Sequence, residues 1–391
     1  MKPLRIAMLT HSTNPRGGVI HALELAEALH HQGQSVTLMA AAEAGQRFFR
    51  GTDCPTKIVP TPSLSGDLSA RVGLRIQAYV EHFSNPATER YDLYHAQDSI
   101  SGCALATLAE RGVIGGFVRT VHHLDHFADA TLMDWQARSF QQAQQVLCVS
   151  RGWREKLAAD YGIAALQVNN GVDARRFQAQ PQPGDAALRQ QLGLNRGGPV
   201  FLAVGGVEAR KNTLRIFTAF TDVLKRSPQA QLLIAGGASL LDHSGYQHRF
   251  DSALADSGLA SGLGQPVHLT GPLPDAAMPG LFRLADALVF PSLAEGFGLV
   301  VLEAIASGTP AIVSRIAPFT EYLLDSDCLW ADPQDAASIA AAMAQAVTAF
   351  PRDRLPAIAQ RLNAEFSWGK SAHTHLQIYQ SLIHAGDPIH A

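Results

Sequence analysis

Glu295 and Glu303, with seven residues between them, lie in the stretch FPSLAEGFGLVVLEAIASGTPAIVS, which also carries Gly296 and Gly298. The apolar run ahead of them reads as a strand ending near Phe290, and a helix is predicted from about Leu299 to Ser307, stopped by Gly308. Glu295 then sits on the loop at the strand exit and Glu303 one turn into the helix, so both can face one ligand. The glycines permit close backbone approach, and the unpaired amides of a helix start suit a diphosphate.

A second cluster is TVHHLDHF, which starts at Thr120 and holds His122, His123, Asp125 and His126. Imidazole and carboxylate both coordinate Zn²⁺. The spacing fits poorly: a metallo-β-lactamase-type hydrolase reads H-x-H-x-D-H, and aligning Asp125 and His126 to it puts Val121 where the first histidine belongs. A zinc site of His123, Asp125 and His126 stands as an alternative to ordinary surface polarity.

These residues need a scaffold, and the apolar runs supply one. Strand-length segments (RIAMLT, SVTLMA, YDLYHA, GGFVRTV, QVLCVS, LQVNNGVD) alternate with helical patterns, the mark of βαβ units around a parallel sheet. After the linker-like FQAQPQPGDAA a second series begins: PVFLAV, AQLLIAG, VHLTG, ALVFPS, TPAIVS. With 391 residues, more than one core usually organises, two domains are expected. Doubly wound sheets bind ligands at the C-terminal ends of their strands, so the loops after strands carry the function. No intact G-x-G-x-x-G is present, and AEFSWGKS has Ala364 where a P-loop needs glycine.

Composition excludes several classes. The chain is 47% hydrophobic and 17% charged, which suits a globular protein rather than a disordered one. A formal net charge of −3 gives no overall attraction to nucleic acid. Cys54, Cys103, Cys148 and Cys328 lack C-x-x-C spacing and read as buried thiols. The apolar IAML after the N-terminal residues is far shorter than a signal-peptide core, and no uncharged stretch reaches the roughly 20 residues that span a bilayer, so a cytoplasmic location is expected. In LSARVGLRIQAYVEHF, residues Leu68, Val72, Ile76, Tyr79, Val80 and Phe83 share one helical face and read as core; Arg71 and Arg75 would allow at most a peripheral membrane contact.

The E-x7-E pattern set in PSLAEGFGLVVLEAIASGTP resembles the donor-sugar motif of retaining glycosyltransferase family four, the glycosyl transferases group 1. More of that family's pattern follows in order: GGVIHALELAEALHHQGQSVTL, CVSRGWREKL, NNGVDARRF, AVGGVEARKN and the terminal FSWGKSAHTHLQIYQSL. The resemblance implies an α/β fold of two Rossmann-like doubly wound domains facing a cleft (GT-B). It places an N-terminal acceptor-side domain over 1–178 plus 371–391 and a nucleotide-sugar-binding domain over 179–370. One departure stands out. The family's phosphate loop reads G-R with a lysine five positions after the arginine; here Gly206 replaces the arginine while Lys211 is in place, and Arg210 is the nearest substitute.

The implied chemistry is retaining, metal-independent transfer of a sugar from a nucleotide diphosphate to an acceptor hydroxyl, with no cofactor beyond the nucleotide-sugar co-substrate. By resemblance, Lys211 and Arg210 meet the growing phosphate charge, Glu303 holds the ribose diol, and Glu295 lies by the transferred sugar. His122, matching a T-x-H context, faces the donor sugar. Gly17 and Gly18 form the tight loop beside the reaction centre, and Phe297, Gly298 and Leu299 contact the donor mainly through backbone. The D-x-D at Asp325 to Asp327, a metal-binding pattern elsewhere, falls in an expected surface turn after TEYLL. Base contacts would come from backbone around Gly271 and Pro272. The same fold also suits a sugar-nucleotide epimerase, a phosphorolytic enzyme or a non-catalytic sugar-nucleotide binder. The donor's base and sugar, the acceptor and the oligomeric state are open at this level.

Overall fold

The computed structural model describes residues 2–63, 65–237 and 243–384. The chain divides into two compact units, Met1–Gly171 with Phe366–Ala391, and Val172–Glu365.

The first unit is built on seven strands: β1 (Arg5–Thr10), β2 (Ser35–Glu43), β3 (Thr56–Thr61), β4 (Leu93–Ala96), β5 (Val118–Val121), β6 (Gln145–Cys148) and β7 (Leu166–Gln167). They pair in parallel in the order β3-β2-β1-β4-β5-β6-β7. The order reverses at β1 and β4, the point where doubly wound sheets open a ligand crevice at the strand ends. The loops after β4 and β5 carry Gln97 and His122; Gly17 and Gly18, expected in a tight loop, are instead the first two residues of helix Gly17–His31, which follows the loop after β1. Strand β3 has no counterpart among the expected strands, because Pro60 breaks the pattern of TKIVPT; at a sheet edge a missing N–H costs no ladder bond. Only two residues of LQVNNGVD are strand. Asn170 turns its side chain to His21 Nδ1 at 2.8 Å, and Gly171 presses its backbone on the Trp368 amide, where a Cβ would come within 2.3 Å.

The stripe on helix Leu68–Ser84 is core. Tyr79 and Phe83 are fully buried, with Val72, Ile76 and Val80 against the same sheet face. The Tyr79 hydroxyl donates to the carbonyls of Thr10, at 2.6 Å, and Met39, which pins the helix to the end of β1 and the middle of β2. All four cysteines are free and buried.

The second unit holds β8 (Val200–Val204), β9 (Gln231–Ala235), β10 (Val267–Gly271), β11 (Ala287–Phe290), β12 (Ala311–Ser314) and β13 (Leu329–Ala331). They form a parallel sheet in the order β10-β9-β8-β11-β12-β13, again reversing beside its first strand. Strand interiors such as Phe201, Leu232, Val289 and Ile312 are buried, as a sheet covered on both faces requires.

The unit boundaries fall a few residues before the expected ones, at 171/172 rather than 178/179 and at 365/366 rather than 370/371. Side chains explain both differences. Phe177 packs on Phe282 with ring centroids 6.0 Å apart, and Arg176 pairs with Asp275 at 2.5 Å, so the segment ahead of the linker belongs to the second unit. Phe366 and Trp368 are buried, and the Trp368 ring packs 5.4 Å from His21, so the return to the first unit begins before residue 371.

Candidate active site

In the second unit the chain leaves β8 through Gly205 and Gly206, both at positive φ (124° and 75°), and both amides donate to Ala235 O. Glycine is needed at 205 because a Cβ there would stand 2.9 Å from Lys211 Cε. Asn212, at φ 62°, ends the loop in a left-handed conformation, and its Nδ2 donates to Pro291 O at 3.1 Å and Pro333 O at 2.7 Å. Leu293 N donates to Arg210 O, and Thr213 Oγ1 to Gly206 O. The Asn212–Pro291 and Leu293–Arg210 bonds tie the loop after β8 to the loop after β11, and the Pro333 bond ties it to the loop after β13.

The result is an ion cluster. Lys211 Nζ and Arg210 Nη1 both donate to Glu295 Oε1, at 2.6 and 2.7 Å, and the carboxylate is almost fully buried. The Lys211 ammonium also lies 4.3 Å from the centroid of the Phe290 ring. Burial pushes the Glu295 carboxyl up, but the charges of Lys211 and Arg210 outweigh it and hold the group below its ordinary range. Burial lowers the Lys211 pKa against the pull of Glu295. Arg210 therefore brings a guanidinium to the carboxylate that Lys211 holds, although Gly206 stands at the family's arginine position.

Gly298, at φ 87°, precedes helix Leu299–Ala306, whose start has no side-chain cap. A Cβ at 298 would come within 2.5 Å of the Phe319 ring, so the sequence needs glycine there. Glu303 is carried on this helix and is 9% exposed; Leu299 is buried at its first turn. The Phe297 ring stacks on Tyr322 with centroids 5.1 Å apart, and its carbonyl accepts from the Tyr322 hydroxyl. Beside this cluster a cavity of about 390 Å³ is lined by Gly206, Gly236, Gly237, His243, Leu269 and Gly271. Three of those residues are the backbone ends of β8, β9 and β10, and the cavity reaches Gly271, where base contacts were expected. Buried Glu208 stands 3.8 Å from His243 Nε2 and 4.0 Å from Arg210 Nη2. Neither Glu208 nor Asn212 was singled out by spacing; asparagine before a helix was the one available signal for the latter.

In the first unit His122 follows β5, and its Nε2 lies 3.0 Å from Gln97 Oε1 at the end of β4. Helix Gly17–His31 begins nearby without a side-chain cap. A Cβ at Gly18 would be 3.2 Å from His122 Cδ2, so glycine makes room for the imidazole; one at Gly17 would meet nothing within 4 Å. His21, fully buried, packs edge-on to His122 with centroids 4.7 Å apart. Burial above all, with His21 and Arg119 adding to it, drives the His122 pKa well below its ordinary value. The imidazole is neutral at pH 7.

The other histidines of TVHHLDHF do not join it. His123 Nε2 lies 3.3 Å from Asp125 Oδ2, with both side chains partly in solvent, and His126 is exposed. Among the described residues no three histidine, cysteine or carboxylate side chains converge on a point where a metal ion could be held. Asp325 and Asp327 do lie in a turn before β13. Asp325 pairs with Arg315 at 2.9 Å, and Asp327 is buried against Arg361.

Known proteins resemble the chain in both units. Residues 185–354 match the family Glycosyl transferases group 1, and residues 15–176 match Glycosyltransferase Family 4. The chain is 25% identical to the D-inositol 3-phosphate glycosyltransferase of Kineococcus radiotolerans over 97% of its own length and 95% of that protein. Sucrose-phosphate synthase from Thermosynechococcus elongatus superimposes with a TM-score of 0.79 at 22% identity, covering 98% of this chain and 100% of that one. HepE of Anabaena, solved with UDP and glucose, superimposes with a TM-score of 0.73 at 18% identity, covering 97% and 100%.

Proposed function

The chain belongs to the group 1 glycosyl transferases and is a glycosyltransferase of GT-B fold, and from that premise we propose that it moves a sugar from a nucleotide diphosphate to an acceptor hydroxyl, with retention and without a metal ion. The observation that carries this reading is the meeting of Lys211 and Arg210 on Glu295 Oε1 beside an uncapped helix start. As the bond from the anomeric carbon to the diphosphate oxygen breaks, negative charge grows on the phosphate oxygens. Fixed cations and helix amides stabilise that charge without any reorganisation at the moment of reaction. The acceptor oxygen bonds to the face the diphosphate leaves, and the hydroxyl proton departs with the diphosphate.

Glu303 takes the ribose diol through its two carboxylate oxygens, and the glycine-lined cavity takes the base. To the first unit we assign the sugar and acceptor side, with neutral His122 hydrogen-bonding a sugar hydroxyl and the helix start at Gly17 and Gly18 near it. Among the described residues no helix is long and apolar enough to cross a membrane. We place the enzyme in the cytoplasm, at most peripheral to a membrane, with no nucleic-acid partner. Because HepE binds UDP and glucose, UDP-glucose is the first donor to test. A thermal-shift panel of UDP, GDP and ADP identifies the base: a ligand at 100 times its Kd stabilises by about 2.7 kcal/mol. The anomeric configuration of the product, read by NMR, tests retention; an inverted product overturns it.

A further inference from the structure

We propose that Gln97 is a positioning residue that fixes His122 as its Nε2–H tautomer, leaving Nδ1 as the lone-pair nitrogen that receives a hydrogen bond from a substrate hydroxyl. The inference rests on the part assigned to His122 above and adds which ring nitrogen acts and what sets it.

Gln97 is buried, and its backbone amide is anchored on Leu9 O at 3.0 Å. Its Nε2 lies 2.9 Å from Met8 Sδ and stands 3.3 and 3.2 Å from the two ring nitrogens of His95. Those nitrogens are already engaged, Nδ1 with the Tyr379 hydroxyl at 2.6 Å and Nε2 with Thr120 Oγ1 at 2.7 Å. A group nearly equidistant from both nitrogens of a ring with its edge positions filled lies over the ring face. An electron-rich face and a thioether sulfur both favour the NH₂ end of an amide and disfavour its oxygen. The carboxamide orientation is thereby set, with Oε1 toward His122 Nε2 at 3.0 Å. An amide oxygen only accepts, so His122 Nε2 carries the hydrogen. His122 Nδ1 has no hydrogen-bond partner among the described residues, and the side chain is only partly buried.

The groups around His122 favour the neutral ring. Burial above all, then His21 from helix Gly17–His31, Arg119 and His123 from either side on the β5 segment, and His95 from β4, disfavour protonation of the ring. The side chain is thus an acceptor at Nδ1 rather than an acid.

The test is long-range ¹H–¹⁵N NMR of the ¹⁵N-histidine-labelled full chain at pH 7, with His122→Ala used to assign the signal. The expected result is a neutral ring with Nε2 protonated in the wild type. Gln97→Leu should shift the ring toward a mixture of tautomers and lower kcat by about tenfold, the size of one hydrogen bond lost, while the affinity for the nucleotide alone is unchanged. Gln97→Glu places a carboxylate beside Nε2–H; the His122 pKa then rises, and a new acidic limb enters the pH profile of kcat/KM. Finding Nδ1–H or an imidazolium in the wild type overturns the proposal, as does a tautomer and pH profile that neither substitution alters. Full activity in His122→Ala would sink the assignment of His122 to the reaction and leave the tautomer measurement standing, so the two failures are distinguishable.

Discussion

Lys211 Nζ sits 2.6 Å from Glu295 Oε1, joining the loop after β8 to the loop after β11 through one almost fully buried ion pair. A lysine held this way has its stem packed under Gly205 and its charge fixed before any ligand arrives. Lys211→Ala should therefore lower kcat by about 10²–10³-fold, the usual cost of removing one donor that stabilises a transition state. It should also destabilise the second unit, because Glu295 would keep only Arg210. Steady-state kinetics beside urea melts separates the two effects. A variant with wild-type kcat would remove Lys211 from the chemistry.

Arg210 and Lys211 end on the same oxygen, so their contributions should not add. In a double-mutant cycle the coupling is expected in the 0.5–3 kcal/mol range seen for residues in one network. Restoring an arginine by Gly206→Arg in the Arg210→Ala background should fail to recover activity. Position 206 has φ 75°, a conformation that side chains rarely adopt, and a Cβ there would meet Gly237 O at 3.2 Å. Recovery to wild-type rate would show that the arginine position, not Arg210, is what the site requires.

Much of the scaffold was legible in the sequence because parallel strands buried on both faces read as unbroken apolar runs. β3 was not, since Pro60 argues against a strand everywhere except an edge, and edges are set by the topology of the whole sheet. Glu295 and Gly298 could be read from spacing and from a glycine just ahead of a helix, and Lys211 from the resemblance to the family's phosphate loop. Whether Arg210 reached the same carboxylate could not, because side-chain direction depends on the left-handed turn at Asn212 and on its bonds to Pro291 and Pro333. Phe297 shows the reverse case: a residue inside the motif whose ring packs on Tyr322, a partner 25 positions away. Gln97 and the buried histidines carry no local signal at all, as contacts between β4, β5 and the terminal helix assemble them.

Those histidines predict an acid limb in stability. Burial lowers the pKa of His21 to about 3 and of His375 to about 4, and pushes His95 well down. Unfolded histidines titrate near 6.5, so between that value and the folded pKa the unfolded chain binds more protons than the native one. The stabilisation is complete above about pH 6.5 and is lost progressively as pH falls toward 4, by roughly 2 kcal/mol per histidine at pH 5. Urea midpoints at pH 7.5 and 5.0 should show the loss, and His375→Leu should flatten it. Equal midpoints at both pH values would mean that these rings are charged in the native state or reach water.

Metal independence is the prediction that separates the proposed chemistry most sharply from transfer that relies on a bound cation. A divalent ion in such reactions neutralises the departing diphosphate. In the reaction proposed above the same requirement would fall to Lys211, Arg210 and the amides that open helix Leu299–Ala306, all held by covalent structure and by the Asn212 bonds. Pre-incubation with excess EDTA should leave kcat/KM for a nucleotide-sugar donor unchanged, and added Mg²⁺ should not raise it. Lys211→Ala should stay impaired in the presence of Mg²⁺, because two carboxylates of the cluster stay engaged: Glu295 with Arg210, and Glu208 within 4.0 Å of Arg210 and His243. Complete loss of activity in chelator, restored by Mg²⁺, would show that the fixed cations do not suffice and that the diphosphate arrives with a metal of its own.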